Sequence, residues 1–510
     1  MRRRSFIGVT AGDVLGIPII SACSSSGGGS GTSTSSVSET GGSNSALNFD
    51  PKAFTEESTT VTMADGEEVT VNYKLWKGIV YVANPVDAEY QSMNIKQPTS
   101  VNGKEVDASG SPIVFAMNIG GYTSSAVNAE QSGGMSGGGM PPGDGAPPAG
   151  GGGVESGGGA QMSAGKHIDL GDYALASGLV VVNPGARGRD NVNADGVYFG
   201  KAPAAIVDLK AAVRYLKANA GVVPGNTDRI VSSGSSAGGG LSVLLGASGG
   251  SDLYQKDLVA LGAADASDAI YAVAGYCPIT DLENADAAYE WCFGDATNET
   301  VSVNATVSEE LRARFPQYME RLGLKDDQGR KLTADNLAEH MLSVHLRPSA
   351  KRYLDGLSDE DRAAYVAQNP WVEGDFTWEQ FIDHAGRGKG APAFDALDLS
   401  SGENSLFGNE NTNARHFTTY AQGGDLEEGV EDAVTRMNPM GFILDRNPQR
   451  AQHWFLRVGA KDTDTSFSIV SNLASALSNA GDAVDTSYYW DAGHGANEDP
   501  DAFIAWVKSL

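Results

Sequence analysis

Apolar residues recur with a period of two in several short stretches of the chain and at helical spacing in the stretches between them. Thr59-Thr60-Val61-Thr62-Met63 and Glu68-Val69-Thr70-Val71-Asn72 flank Ala64-Asp65-Gly66, which predicts a β-hairpin closed by an Asp-Gly turn. Strands are also predicted at 79–83, 112–117 and 179–182. Ile206, Leu209, Val213 and Leu216 repeat at three- and four-residue intervals, so 203–220 predicts an amphipathic helix with Pro203 in its first turn and Gly221 at its end. A strand at Arg229-Ile230-Val231-Ser232, a helix through Leu241-Ser242-Val243-Leu244-Leu245 and an apolar run at 270–277 follow. This alternation of strand and helix implies an α/β fold: a mostly parallel sheet with helices on both faces.

The pattern changes between 295 and 422, where charged helical stretches at 308–322 and 358–368 are separated by glycine-rich loops. That segment reads as a cap inserted into the sheet domain. The sheet pattern resumes with His453-Trp454-Phe455-Leu456-Arg457-Val458, a helix at 466–479, a strand at 484–490 and a last helix at 501–510. The core is thus expected in two parts, 47–294 and 423–510, around a cap at 295–422. Residues 131–166 are rich in glycine, methionine and proline and read as a low-complexity surface loop. No internal repeat is evident, which removes the blade-repeat signature of propeller-bearing peptidases.

The formal charge of -28, from 64 acidic and 36 basic residues among 510, argues against a nucleic-acid partner, because the surface repels phosphate. Arg2-Arg3-Arg4-Ser5-Phe6-Ile7 precedes a weakly apolar stretch ending in Ile20-Ser21-Ala22-Cys23; residues 1–23 resemble a twin-arginine lipoprotein signal with a lipobox. Lipid attachment at Cys23 is therefore expected. Residues 24–46, dominated by serine, glycine and threonine, form the expected tether, and the protein is expected to be exported and to touch the envelope membrane only through this anchor. Cys277 and Cys292 suit either a disulfide in an oxidising compartment or two small buried thiols; the sequence leaves both open.

Gly-x-Ser-x-Gly occurs at 134–138, 234–238 and 246–250, in a chain with 65 glycines. Only Gly234-Ser235-Ser236-Ala237-Gly238 lies between a predicted strand and a predicted helix, the context that places a serine on a sharp, nucleophile-bearing turn. A serine hydroxyl needs a base, and the base needs a carboxylate to hold it in one tautomer. Asp462 and His494 follow predicted strands downstream, in the order serine, acid, histidine. His167, His340, His345, His384, His416 and His453 compete with His494, but none follows a late strand downstream of an acid, and the cap histidines read as solvated. Asp464, Asp485 and Asp491 compete with Asp462. The amide of Ala237 and that of Gly121, in Asn118-Ile119-Gly120-Gly121-Tyr122, are the candidate oxyanion donors. No HExxH, CxxC pair or His-carboxylate cluster supports a metal, and no nucleotide fingerprint follows a strand; no metal or cofactor is expected.

Several ordered motifs together resemble the bacterial tannases. They are the Gly-Gly-Tyr at 120–122, Pro184-Gly185-Ala186-Arg187-Gly188-Arg189, Gly200-Lys201-Ala202-Pro203-Ala204-Ala205, Ser235-Ser236-Ala237-Gly238-Gly239, Cys277-Pro278-Ile279-Thr280-Asp281-Leu282-Glu283-Asn284-Ala285-Asp286, Pro392-Ala393-Phe394-Asp395 and Asp462-Thr463-Asp464. The resemblance spans about 75–510. It implies an α/β-hydrolase fold with a large cap, a Ser236-Asp462-His494 triad, and a serine esterase acting on galloyl and protocatechuoyl esters, a small-molecule phenolic substrate. It further implies that Lys389, Glu403 and Asp464 bind the hydroxyls of the galloyl ring; residue chemistry alone makes Lys389 and Glu403 solvated charges. A feruloyl or general carboxylesterase of the same fold is the alternative, and a surface-binding protein on an inactive scaffold is opposed by the intact Ser236, Asp462 and His494.

Overall fold

The computed structural model describes residues 47–127, 168–296, 298 and 300–510, and in it the alternating stretches assemble into one ten-stranded sheet. The strands are β1 (Thr55–Thr62), β2 (Glu68–Val80), β3 (Ser92–Val101), β4 (Lys104–Glu105), β5 (Pro112–Ala116), β6 (Val180–Pro184), β7 (Asn226–Ser235), β8 (Ala272–Tyr276), β9 (His453–Gly459) and β10 (Ala483–Tyr489). Their order is β1-β2-β3-β6-β5-β7-β8-β9-β10, with β4 paired to β3. From β6 to β10 every pairing is parallel, whereas β1, β2 and β3 add an antiparallel edge through β6.

The β1–β2 hairpin closes with Thr62 opposite Glu68 and Gly66 at a φ of 87°, as its Asp-Gly turn requires. β3 lies outside the sequence-predicted strands. Met93 and Ile95 alternate inward, but Pro98 and the polar Lys96, Gln97 and Ser100 interrupt the pattern, and the register with β2 shifts at Asn72/Tyr73, beside Pro98.

Burial on both faces explains why the central strands read as continuous apolar runs. Ile113, Phe115, Val180, Val182, Ile230, Val273, Trp454, Leu456 and Val458 enter one hydrophobic cluster. Their alternates Val114, Ala116, Val181, Val231, Ala272, Ala274 and Phe455 enter the other. The first is covered by the helices Ala204–Ala218, Ala237–Ala247, Leu282–Phe293 and Phe467–Ala480, the second by Leu170–Ala176 and Pro500–Ser509.

The inserted segment does not build a separate core. Its Phe315, Leu337, Met341, Phe381, Phe394 and Phe417 belong to the first sheet-face cluster, and 44–510 forms one compact unit. The predicted 308–322 helix is two helices, Ala305–Arg312 and Phe315–Leu322, with Pro316 in the first turn of the second, where a missing N–H costs nothing. The predicted 358–368 helix is Asp359–Gln368, capped by the Ser358 side chain.

The expected signal, Cys23, the tether and the 131–166 segment fall outside the described residues. Among the described residues no helix is long and apolar enough to cross a membrane. Cys277 and Cys292 are both free and buried, so they form no disulfide with each other.

Candidate active site

Four loops meet at the carboxyl edge of the parallel strands, where open α/β sheets place their ligands. β7 runs into Ser236 and the helix Ala237–Ala247; the loops after β9, β10 and β5 carry Asp462, His494 and Gly121.

Ser236 has φ 58° and ψ -123°, a conformation strained for any residue with a side chain. The turn is held from several sides: Ser236 N–H donates to Tyr276 O (3.0 Å), Ile279 N–H to Ser236 O (3.2 Å) and Gly238 N–H to Ile119 O (2.9 Å). A Cβ at Gly234 would lie 2.4 Å from Gly238 O, so strand and helix approach this closely only with glycine there.

His494 Nε2 lies 2.8 Å from Ser236 Oγ, and His494 Nδ1 lies 2.9 Å from Asp462 Oδ2. A carboxylate only accepts, so Nδ1 carries the proton and Nε2 is free to take one from Ser236. Asp462 is itself fixed: its Oδ1 accepts the amides of Asp464 (2.9 Å) and Thr465 (3.3 Å). Burial of the His494 ring opposes its charged form, but the Asp462 carboxylate and the adjacent Cys277 outweigh that, raising the pKa well above 6.5. The charged form of the His494 ring is thereby favoured. Cys277, Asp462 and His494 offer ligand atoms within 4.8 Å of one another, but both His494 nitrogens are already engaged, an arrangement suited to proton transfer.

The other expected residues fall around this centre. Ala237 is the first residue of its helix, so its amide has no acceptor within the helix. Gly121, at φ 53°, sits in the loop whose Ile119 carbonyl is tied to Gly238, and Arg189 Nε donates to its carbonyl at 2.6 Å. Lys389 Nζ lies 3.9 Å from Asp464 Oδ1 and 4.3 Å above the Phe394 ring. Glu403, in the first turn of the helix Gly402–Leu406, acts electrostatically on buried Tyr122, the neighbour of Gly121. Burial first, then Glu403, pushes the Tyr122 phenol up; its OH donates to Ile279 O at 2.7 Å.

Sequence reasoning missed the groups that hold these side chains. Tyr289 OH accepts from the amides of Gly388 (3.2 Å) and Lys389 (3.0 Å) and donates to Thr463 O (2.9 Å), bridging the Lys389 and Asp464 loops. Gly388 packs so tightly on that second loop that a Cβ would sit 2.3 Å from Thr463 Oγ1. Arg387, fully buried, pairs with buried Glu290 and donates to the carbonyls of Lys389 and Gly390. Glu290 lies in the helix Leu282–Phe293, which begins inside the Cys277–Asp286 motif, the one sequence signal near it. Three histidines of the 295–422 segment, expected in solvent, have partners: His345 stacks on Tyr488 at 4.8 Å, His416 bonds Asp395 at 2.8 Å, and His384 bonds Asp491 at 2.6 Å.

A serine on a strained strand-to-helix turn, within hydrogen-bond reach of a histidine that a buried aspartate orients, at the carboxyl edge of a parallel sheet, defines an α/β-hydrolase-fold carboxylic ester hydrolase. The BD-FAE family matches residues 158–315. The chain is similar to the Fusobacterium nucleatum tannase structure, at 32% identity and a TM-score of 0.71, over 91% of this chain and 99% of that one. Two structures of tannin acyl hydrolase, in complex with 3,4-dihydroxybenzoate and with ethyl gallate, are each 32% identical over 91% of this chain and 98% of theirs, with TM-scores of 0.75 and 0.73. This chain belongs to the bacterial tannase family. No curated protein matches it.

Proposed function

We propose that this esterase hydrolyses galloyl esters, and their protocatechuoyl analogues, through an acyl-enzyme on Ser236. The observation that carries the reading is the convergence of Lys389 and Asp464 on the loop of Asp462, with Glu403 beside the Gly121 loop. A cation and two carboxylates in that arrangement suit a ring with adjacent phenolic hydroxyls: the ammonium donates to a phenol oxygen and the carboxylates accept from O–H groups. The ethyl gallate and 3,4-dihydroxybenzoate complexes of the similar tannin acyl hydrolase support this choice of ring.

In the proposed reaction Ser236 Oγ attacks the ester carbonyl as His494 Nε2 takes its proton, and Asp462 stabilises the imidazolium. The tetrahedral oxyanion is met by the amides of Ala237 and Gly121, the first at the positive end of its helix. His494 returns the proton to the departing alcohol; water then attacks the acyl-enzyme with His494 again as base, releasing the acid and Ser236. No metal or organic cofactor enters these steps. The residues at 1–23 further support export with lipid attachment at Cys23, so the enzyme would act outside the cytoplasm on small phenolic esters.

A site built around hydroxyls discriminates strongly against rings that lack them, because its own polar groups are left unpaired. The kcat/KM for methyl gallate is expected to exceed that for ethyl ferulate by about 10²-fold or more. Lys389→Ala and Glu403→Ala are each expected to lower it by about 10- to 100-fold for gallate, the loss of one charge-assisted hydrogen bond, with little effect on ferulate. Steady-state kinetics of the three proteins on both esters check this. Equal cleavage of gallate and ferulate by the unmodified enzyme overturns the galloyl assignment in favour of a feruloyl or general carboxylesterase.

A further inference from the structure

The reaction proposed above uses Asp462 and His494 but leaves a half-buried cluster, one step behind them, without a role. Asp491 lies two residues beyond the end of β10 and three before His494, with a left-handed φ of 59°. Its carboxylate Oδ1 accepts from His384 Nε2 at 2.6 Å and from Lys461 Nζ at 3.0 Å. It also accepts from the Tyr365 hydroxyl, which in turn accepts from the Trp490 indole at 2.8 Å.

These donors come from three different places. Lys461 immediately precedes the triad acid, while His384 (in the helix Trp378–Ala385) and Tyr365 (in Asp359–Gln368) belong to the inserted segment. His384 stacks on Trp490 at 5.5 Å with an interplanar angle of 13°, and its other neighbour is Trp371, edge-on at 5.0 Å. The two catalytic loops also touch through their backbones: Ala460 N–H donates to Tyr489 O at 2.7 Å and Lys461 N–H to Ala492 O at 2.8 Å. Burial alone would raise the Asp491 pKa, but the bonds from His384, Tyr365 and Lys461 hold it down at about 2, so the carboxylate is charged across the working range.

Left-handed backbone is uncommon outside glycine, and aspartate is one of the few side-chain-bearing residues that tolerate it, because its short carboxylate can bond close by. Here the side chain closes a loop of contacts that backbone bonding alone does not close. We propose that Asp491 is a positioning residue for ester hydrolysis: by gathering Lys461, His384 and Tyr365 it fixes the distance between the Asp462 and His494 loops and ties both to the cap. It touches no substrate. It acts through His494, whose Nε2 must stay within hydrogen-bond reach of Ser236 for the proton to move.

The inference rests on the Ser236-Asp462-His494 reading, and the test separates the two. Asp491→Ala in the full chain is expected to lower kcat for methyl gallate by about 10- to 100-fold, the range associated with displacement of a catalytic group by an ångström or less. Its KM should stay within about threefold, because the ring-binding groups are untouched. Asp491→Asn, whose amide oxygen still accepts from Lys461, should recover most of that loss. The rate at which a small sulfonyl fluoride modifies Ser236 should fall in parallel, since that reaction needs the His494–Ser236 pair and not the phenol-binding groups. Lys461→Met should lower kcat, and combining it with Asp491→Ala should cost less than the product of the two effects, as for partners in one contact.

A rise in KM alone, an unchanged rate of Ser236 modification, or multiplicative effects in the double variant would overturn the proposal. If Asp491→Ala does not fold, judged by its melting curve, Lys461→Met carries the test, and wild-type kcat in that variant overturns the proposal. Ser236→Ala is measured alongside: turnover retained there defeats the triad reading, whereas turnover lost there but kept in Asp491→Ala defeats only the role of Asp491.

Discussion

Replacing Ser236 by alanine is expected to lower kcat on methyl gallate by about 10⁴- to 10⁶-fold, leaving only the residual acceleration that oxyanion donors and substrate positioning supply. The size follows from the geometry. Ser236 Oγ is the atom 2.8 Å from His494 Nε2, and without it the histidine has nothing to deprotonate but water. The same position stores strain, because φ 58° with ψ -123° is a region that glycine enters freely and alanine does not. Ser236→Gly is therefore expected to be as inactive as Ser236→Ala but more stable than it, by about 1–3 kcal/mol in denaturant unfolding. Activity and stability are opposed at this one residue, as they often are where strain aims a nucleophile. Equal unfolding midpoints for the two variants would show that the turn carries no such strain.

Asp462→Asn should have the next largest effect, a fall in kcat of about 10⁴-fold with the fold intact. The amide retains the shape of the carboxylate, but its NH₂ turned toward Nδ1 favours the tautomer with the proton on Nε2, where it blocks proton transfer from Ser236. The pH profile gives a second, independent sign. His494 must be neutral to act as base, so kcat/KM rises with pH through the pKa of the free enzyme. Because Asp462 holds that pKa above 6.5, the acid limb in the unmodified enzyme lies on the alkaline side of an ordinary histidine. Removing the negative charge moves the limb to lower pH. Stability changes in the opposite sense to rate: a histidine whose folded pKa is raised contributes stability that is fully present below 6.5 and is lost as pH rises through the folded value. The enzyme is thus expected to gain activity over the window in which this pair stops stabilising it. A limb that stays in place in Asp462→Asn would mean that another group sets it.

The elements that bring Ser236, Asp462 and His494 together were legible because their local signals and their tertiary roles agree. The β7-turn-helix unit around Ser236 combines a β-branched strand, obligate glycines and an apolar helix, and β9 and β10 deliver Asp462 and His494 because apolar strands are followed by short loops. Where a signal depends on partners far along the chain, the sequence was silent. β3 is a strand because β2 and β6 lie on either side of it, despite Pro98. Lys389 and Glu403 read as exposed charges in the sequence; the Tyr289 bond to Lys389's amide, the Phe394 ring under its ammonium and the effect of Glu403 on Tyr122 come from distant positions, so only family resemblance singled them out. Asp491 and His384 were set aside, one as a rival acid and the other as a solvated cap residue. Their contact spans 107 positions and joins two segments with no shared pattern. Cys277 and Cys292 were compatible with a bridge by compartment, yet each is a free, buried thiol in hydrogen-bond contact with a serine hydroxyl, Ser235 for Cys277 and Ser466 for Cys292.

A galloyl group is expected to pass through Ser236 as an acyl-enzyme. Acid-quenching the methyl gallate reaction during its first turnovers, followed by peptide mapping by mass spectrometry, tests it directly. A galloyl adduct on the peptide containing Ser236, absent from the Ser236→Ala protein, is the predicted result. A galloyl adduct on any other residue, or turnover of methyl gallate by Ser236→Ala at the rate of the unmodified enzyme, would contradict it.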